Sequence, residues 1–128
     1  APIRNFFFFY NITEAVHGFF SASVDILYSQ KNPCGCMSVL AAVSIPSEEK
    51  EIHAKVQELR MQTQDMFLKR FKQAVQDGQL LKEMNIQSLS FAMNTLLEGL
   101  SIQAKSGISI VSLQEIPQIA VRMLGHCY

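Results

Sequence analysis

The sequence predicts an all-α domain, and three observations support that prediction. Apolar residues recur at three- and four-residue spacing over several segments, as they do along one face of a helix. Proline or glycine stands where most of these segments should end. No stretch of useful length alternates apolar and polar residues in the way a half-buried strand would. We therefore expect a helical bundle of about five helices.

The composition fits one folded domain covering residues 1–128. Hydrophobic residues make up 48% of the chain and charged residues 17%, which excludes a disordered or low-complexity polypeptide. Eleven basic residues balance eleven acidic ones. A protein that grips duplex DNA usually carries a basic excess on one face, so these residues alone are a poor candidate for binding DNA.

The cysteine count and the absence of a long apolar run point to the cytoplasm. Three cysteines form no disulfide framework and fit a reducing compartment. No segment reaches the roughly 20 apolar residues needed to span a bilayer, so we expect no membrane partner. The run Phe6–Tyr10 lacks the flanks of a signal peptide and is expected to start a helix. Because the chain begins at Ala1, we expect a trimmed piece of something longer.

The first two predicted helices lie before Pro46. One runs from Asn5 to Ser29 and ends because Pro33 pushes the preceding residue out of the α region. The other, Cys36–Ser44, is almost wholly apolar and should be buried on most sides. Pro46 stops it.

The third helix has the clearest signals at both ends. Ser47 is a candidate N-cap, and Glu48 and Glu49 fall in the first turn, where the helix dipole favours negative charge. Gly78 stands where a left-handed residue closes a helix, and Leu80 is the usual apolar follower. The basic cluster Lys69-Arg70-Lys72 within it is interpreted as a solvated face.

The fourth helix, Ile86–Lys105, ends at Gly107 and has two apolar sides. One side carries Ile86, Leu89, Met93, Leu96, Leu97, Leu100 and Ala104. Roughly opposite lie Phe91, Thr95 and Ile102. In so small a domain this arrangement suggests that one side meets the core and the other a partner.

The fifth helix should run from Ser112 to the end of the chain. Ser112 and Glu115 form a capping-box pattern. The apolar arc that follows is wider than a single core contact requires. Pro117 sits too deep in this helix, because its nitrogen cannot bond back to Leu113, so we expect a loosened first turn or a later start.

No grouping of residues predicts catalysis, a metal site or a cofactor. Cys34-Gly35-Cys36 lacks the spacing of a zinc site and is best interpreted as a tight turn, with a thiol-based redox sensor as the alternative. Asp65 and Glu98 are the acidic residues most expected to face inward, although a solvated or dimer-rim position suits them better than catalysis. The sequence thus predicts a protein that is not an enzyme.

The aromatic and methionine content suits an apolar pocket with a few polar anchors. The chain has nine phenylalanines and six methionines. The polar residues beside them are Thr63, Gln64, Asn94 and Thr95. Such a pocket would take a small apolar or amphipathic molecule.

From about residue 31 onward, the order of these features resembles the C-terminal domain of TetR-family transcriptional regulators. The resemblance rests on the turn Asn32–Met37, the helix close Gln76–Leu80, the helix segment Leu96–Gly107 and the Ser-x-x-Glu cap at Ser112. It implies a homodimeric, effector-binding domain of a ligand-responsive repressor. DNA would be bound only through an N-terminal helix-turn-helix domain absent from this sequence.

The resemblance also implies that the last two helices of each subunit form a four-helix bundle across a two-fold axis. Our candidates for the dimer interface are Leu89, Met93, Leu96, Ile116, Ile119 and Met123. A cavity is implied between the first, third and fourth helices, and our candidates to line it are Phe20, Leu40, Phe67, Phe71, Phe91 and Thr95. The competing interpretation is a helical protein–protein interaction module without a small-molecule ligand.

Overall fold

The computed structural model describes residues 11–29 and 50–125, and within these ranges every regular element is a helix. The predicted all-α class is confirmed. The helices, numbered here in chain order, are α1 Ile12–Leu27, α2 Lys50–Gln76, α3 Ile86–Lys105, α4 Ile110–Leu113 and α5 Ile116–Arg122. The predicted helix Cys36–Ser44, the cap Ser47, the pocket candidate Leu40 and all three cysteines lie outside the described residues.

The start of α1 differs from the prediction of one helix from Asn5. Asn11 has an extended backbone, and its side chain accepts hydrogen bonds from the N–H groups of Thr13, at 2.7 Å, and Glu14, at 3.4 Å. An asparagine oxygen that satisfies the free N–H groups of a first turn fixes the start of a helix. α1 therefore begins at Ile12, and the apolar run before Asn11 lies outside the described residues.

The ends of α2 and α3 are closed by glycines, as predicted. Gly78 adopts φ +75° and Gly107 adopts φ +90°, the left-handed region that glycine enters without strain. After α2, the N–H of Gln79 donates to the carbonyl of Ala74 at 2.8 Å. This is the hydrogen bond of a Schellman motif, and it satisfies a carbonyl that the helix itself leaves free.

The predicted helix from Ser112 is divided in two, which corrects that prediction. The cap is Ser109, whose hydroxyl accepts from the Val111 N–H at 3.2 Å, and the single turn of α4 ends at Leu113. Pro117 occupies the first turn of α5, where its missing N–H does no harm. The expected later start caused by Pro117 is confirmed, and α5 ends at Arg122.

The core lies where α1 meets the C-terminal half of α2, α3 and α5. Its centre is a cluster of four phenylalanines, namely Phe19, Phe20, Phe67 and Phe71. Phe67 lies at the middle, edge-to-face with Phe19 at 5.2 Å and stacked with Phe71 at 6.1 Å between ring centroids. The pairs that Phe67 makes with Phe19 and Phe20 join α2 to α1 and add to the burial of apolar area between them.

Two hydrogen bonds fix the ends of α1 to distant parts of the chain. The N–H of Ile12 donates to Oε1 of Gln79 at 2.7 Å, just beyond α2. The Tyr28 hydroxyl donates to the carbonyl of Ile108, in the connection between α3 and α4. α1 is thereby held in register with the closing turns of both long helices.

The basic cluster on α2 is not uniformly solvated, contrary to the prediction. Lys69 and Lys72 are exposed, but Arg70 is only 2% exposed. Burial lowers the pKa of the Arg70 guanidinium, and the negative charge of Asp77 partly opposes that shift. Arg70 therefore belongs to the interior of the bundle.

Candidate functional site

A groove of about 390 Å³ runs between the outer faces of α2 and α3. Its volume falls within the range of small-molecule sites in proteins. The α2 wall is formed by Gln57, Arg60, Met61, Gln64, Asp65 and Leu68. The α3 wall is formed by Gln87, Phe91, Asn94, Thr95 and Glu98. This groove, the α2/α3 groove below, is the candidate ligand site of the domain.

An ion pair crosses one end of the α2/α3 groove. Arg60 donates from Nε to Oε1 of Glu98 at 2.7 Å and from Nη2 to Oε2 at 3.2 Å. The Asn94 side chain adds a longer bond, from Nδ2 to the Arg60 carbonyl at 3.4 Å. A two-bond arginine–carboxylate pair fixes the relative position of both side chains, so this end of the groove has a defined shape.

Gln64 joins the two walls through backbone groups of α3. In the amide orientation that satisfies both neighbours, its nitrogen donates to the Ser90 carbonyl and its oxygen accepts from the Phe91 N–H, both at 3.2 Å. Both ends of this side chain are therefore occupied by protein groups. Gln57 and Gln87, which also line the groove, are exposed.

A second groove, of about 300 Å³, lies between α3 and the α4–α5 segment. Most of its lining is apolar or small. The residues are Ala92, Thr95, Leu96, Gly99, Leu100, Gln103, Leu113, Ile116 and Met123. We call it the α3/α5 groove.

The outward side of α3 separates the two grooves. Phe91 is 57% exposed and Ile102 is 41% exposed on this side. Thr95 lies between them and lines both grooves. Of the two apolar sides predicted for α3, one therefore lies in the core and the other faces outward.

The six residues proposed to line a cavity are not all brought together. Phe20, Phe67 and Phe71 are fully buried in the aromatic cluster and line neither groove. Phe91 and Thr95 line the α2/α3 groove. Leu40 lies outside the described residues.

The six residues proposed for a dimer interface also fall in two places. Leu89 and Met93 pack in the core, and Met93 has 0% exposure. Leu96, Ile116 and Met123 are half-buried and line the α3/α5 groove. Ile119, on the same helix as Ile116, is 46% exposed.

Sequence reasoning missed Gln57, Arg60 and Gln87 as lining residues. A signal was present, because Gln57, Arg60 and Gln64 recur at three- and four-residue spacing beside the apolar stripe of α2. Polar side chains at that spacing form a continuous strip on one helix face. Such strips are normally solvated. The spacing therefore indicates a groove only when a neighbouring helix places a second polar strip opposite the first.

Neither a metal cluster nor a membrane-spanning helix is present in the part of the chain that the structure describes. No group of three histidine, cysteine, aspartate or glutamate side chains there is placed to hold a metal ion. None of the described helices is both long and apolar enough to cross a bilayer.

Two solved structures are similar to this chain over 94% of its length, each with a TM-score of 0.87. Both are cysteine-substituted forms of the TetR family transcriptional regulator CifR complexed with 26-base-pair double-strand operator DNA, and they are 25% and 24% identical in sequence to this chain. The match covers 63% of the length of each CifR chain. No curated protein matches this chain.

The family comparison agrees with the fold. Residues 13–107 match the family of the tetracyclin repressor-like, C-terminal domain. That range extends from the start of α1 to the glycine that closes α3. The chain therefore belongs to the TetR-family regulators, as a C-terminal domain of that family.

Proposed function

We propose that this chain is the effector-binding and dimerisation domain of a ligand-responsive TetR-like repressor, and that it acts without catalysis. The observation that carries the proposal is that α3 is apolar on two sides, of which only one is buried. Its inner side is fixed in the core by Met93, whereas its outward side exposes Phe91 and Ile102 between two grooves. A helix that is apolar on both sides needs a second surface to cover the outer one.

The cover we propose for the part of this side around Ile102 is α3 and α5 of a second copy, in a four-helix bundle, which leaves Phe91 open to the α2/α3 groove. Ile119 on α5 and Ile102 on α3 supply exposed apolar surface, and the α3/α5 groove supplies a concave one. A self-complementary pairing of this kind has two-fold symmetry. Leu96, Ile116, Ile119 and Met123 remain our interface candidates, and Thr95 and Ile102 take the places of the core residues Leu89 and Met93.

DNA recognition is assigned to a different part of the regulator. The similar structures are regulators complexed with operator DNA, and this chain corresponds to 63% of their length. Its own formal net charge is zero, so it lacks the basic excess that supplies most non-specific DNA affinity. In this proposal the present domain sets the spacing of two DNA-binding domains and does not contact DNA itself.

The effector site we propose is the α2/α3 groove. Thr95 lines this groove and also the α3/α5 groove beside the proposed interface. A molecule bound between α2 and α3 would therefore act on the same stretch of α3 that meets the second copy. Coupling of this kind requires two sites and two arrangements of one element, and α3 is the element they share.

Sedimentation velocity of the chain at micromolar concentration tests the dimer. We expect a dimer for the unchanged chain and a monomer for Ile119→Asp, because a carboxylate would be buried without a partner at the interface. Gln118→Asp is the matched control, since Gln118 is also exposed on α5 but is not a proposed interface residue. A monomer for the unchanged chain would overturn the dimer proposal.

A further inference from the structure

We infer that the α2/α3 groove binds a small organic cation that carries a flat aromatic portion. This inference rests on the proposed function, because it names the chemical class of the effector for the same site. The charges, the exposed apolar surface and the neutral amides of the groove support it.

The charges of the lining favour a cation. Asp65 and Glu98 contribute two carboxylates, and Arg60 contributes the one basic side chain of the lining. Both donor positions that Arg60 directs at Glu98 are occupied, so its charge is compensated within the wall. Among the lining residues that the structure describes, the carboxylate of Asp65 is then the one charge left uncompensated, so a cation is attracted there and an anion is repelled.

The apolar part of the lining favours an aromatic group. Phe91 and Met61 are 57% and 61% exposed, large values for such side chains, and both line the groove. A phenylalanine ring can stack with a flat ligand and can attract a cation through its face. Met61 adds a flexible, polarisable surface that adapts to different shapes.

The remaining polar side chains suit a ligand with few other charges. Gln57, Gln87 and Asn94 can each donate and accept hydrogen bonds without adding charge. Gln64 is already bound to the backbone of α3, so it holds the walls together. The groove therefore combines one effective negative charge, an aromatic surface and neutral hydrogen-bonding groups.

Calorimetric titration of the chain with three naphthyl compounds tests the inference. The probes share one ring system and differ in charge: naphthylmethyl-trimethylammonium, naphthalenemethanol and naphthylacetate. We expect the cation to bind most tightly, the alcohol next and the anion most weakly, with about tenfold between cation and anion. Equal affinities for the cation and the anion would overturn the inference, as would no binding of any probe.

Two variants separate the charge from the aromatic surface. Asp65→Asn should weaken binding of the cation by about fivefold and leave the alcohol unchanged, since only the Coulombic attraction is removed. Phe91→Ala should weaken the alcohol by about tenfold, because stacking is lost, and the cation by at least as much, because its attraction to the ring face is lost as well. Asp25→Asn, an exposed position on α1 that does not line the groove, is the matched control and should change nothing.

The outcomes for the inference and for the proposed function can be told apart. An Asp65→Asn variant that binds the cation as well as the unchanged chain does would overturn the cation inference. Sedimentation of the same sample reports the dimer independently. A dimer that binds no naphthyl cation would contradict only this inference, whereas a monomer that binds it would contradict only the dimer proposal.

Discussion

Arg60 on α2 and Glu98 on α3 are joined by two hydrogen bonds, of 2.7 Å and 3.2 Å, at one end of the α2/α3 groove. The two residues are 38 positions apart in the sequence, so this pair is a tertiary contact and not a property of one helix. Their side chains are 43% and 23% exposed, which keeps the pair in contact with water. The pair should therefore contribute little to the free energy of unfolding. Its main effect should be to fix the relative position of the two side chains.

A double-mutant cycle on Arg60 and Glu98 should give a coupling free energy of about 0.5–1 kcal/mol, because the two-bond geometry is good and the pair is partly screened. Urea unfolding of Arg60→Ala, Glu98→Ala and the double variant measures it. The control cycle uses Lys55 and Glu58, which lie 4.0 Å apart on one exposed helix face and should couple by less than about 0.5 kcal/mol. Equal coupling in the two cycles would contradict the prediction.

Phe67→Ala should destabilise the domain by about 3–5 kcal/mol, because it empties the middle of the aromatic cluster. Phe67 contacts three other phenylalanine rings and is fully buried. Phe91→Ala is the matched control, since this ring is mostly exposed, and it should cost under about 1 kcal/mol in the monomer. The measurement is the free energy of unfolding in urea, and similar costs for both variants would show that the cluster is not the core.

Alanine substitution should have opposite effects at two glycines. Gly78→Ala should cost about 1–2 kcal/mol, because a Cβ is strained at φ +75° although no atom lies within 4 Å of it. Gly99 lies within α3, with open space where a Cβ would stand, and Gly99→Ala should stabilise the monomer by about 0.5–1 kcal/mol. Chemical unfolding compares the two, and destabilisation by both would refute the conformational explanation.

Asn85→Ala should cost about 1 kcal/mol, because the Asn85 side chain accepts a hydrogen bond from the Ser88 N–H at 3.0 Å and caps α3. Asn85→Asp keeps an acceptor at that position and should retain the stability of the unchanged chain. Thermal unfolding at one protein concentration distinguishes the two variants. If aspartate is as harmful as alanine, the contribution of Asn85 is not capping.

Helix ends were predictable where a local residue dictates the backbone. The bounds of α3 agree with the sequence prediction, because Gly107 closes the helix and Ile86 opens its apolar stripe. The start of α5 was harder, since Ser109 and Ser112 can both cap a helix and only Pro117 limits the choice. Asn11 shows the same difficulty, because a long apolar run before it masked its role as a cap.

The position of the grooves was less predictable, because periodicity identifies the faces of a helix but not their neighbours. Leu89 and Met93 lie on one apolar side of α3, and Phe91 and Thr95 on the other. Which of these sides lies in the core depends on where α1 and α5 pack. The apolar pattern of α3 does not contain that information. The burial of Arg70 was unpredictable for the same reason. Its sequence neighbours Lys69 and Lys72 are exposed, and nothing in the local sequence distinguishes Arg70 from them.

The position of Thr95 has a practical consequence for spectroscopy. Its hydroxyl donates to the Phe91 carbonyl at 2.8 Å, one turn back on α3, so the side chain is anchored to its own helix. A fluorine-bearing group attached to Thr95→Cys, in a chain whose Cys34, Cys36 and Cys127 are replaced by serine, would stand at the border of both grooves. A single resonance could then register the filling of one groove and the covering of the other, and a titration would reveal the order of the two events.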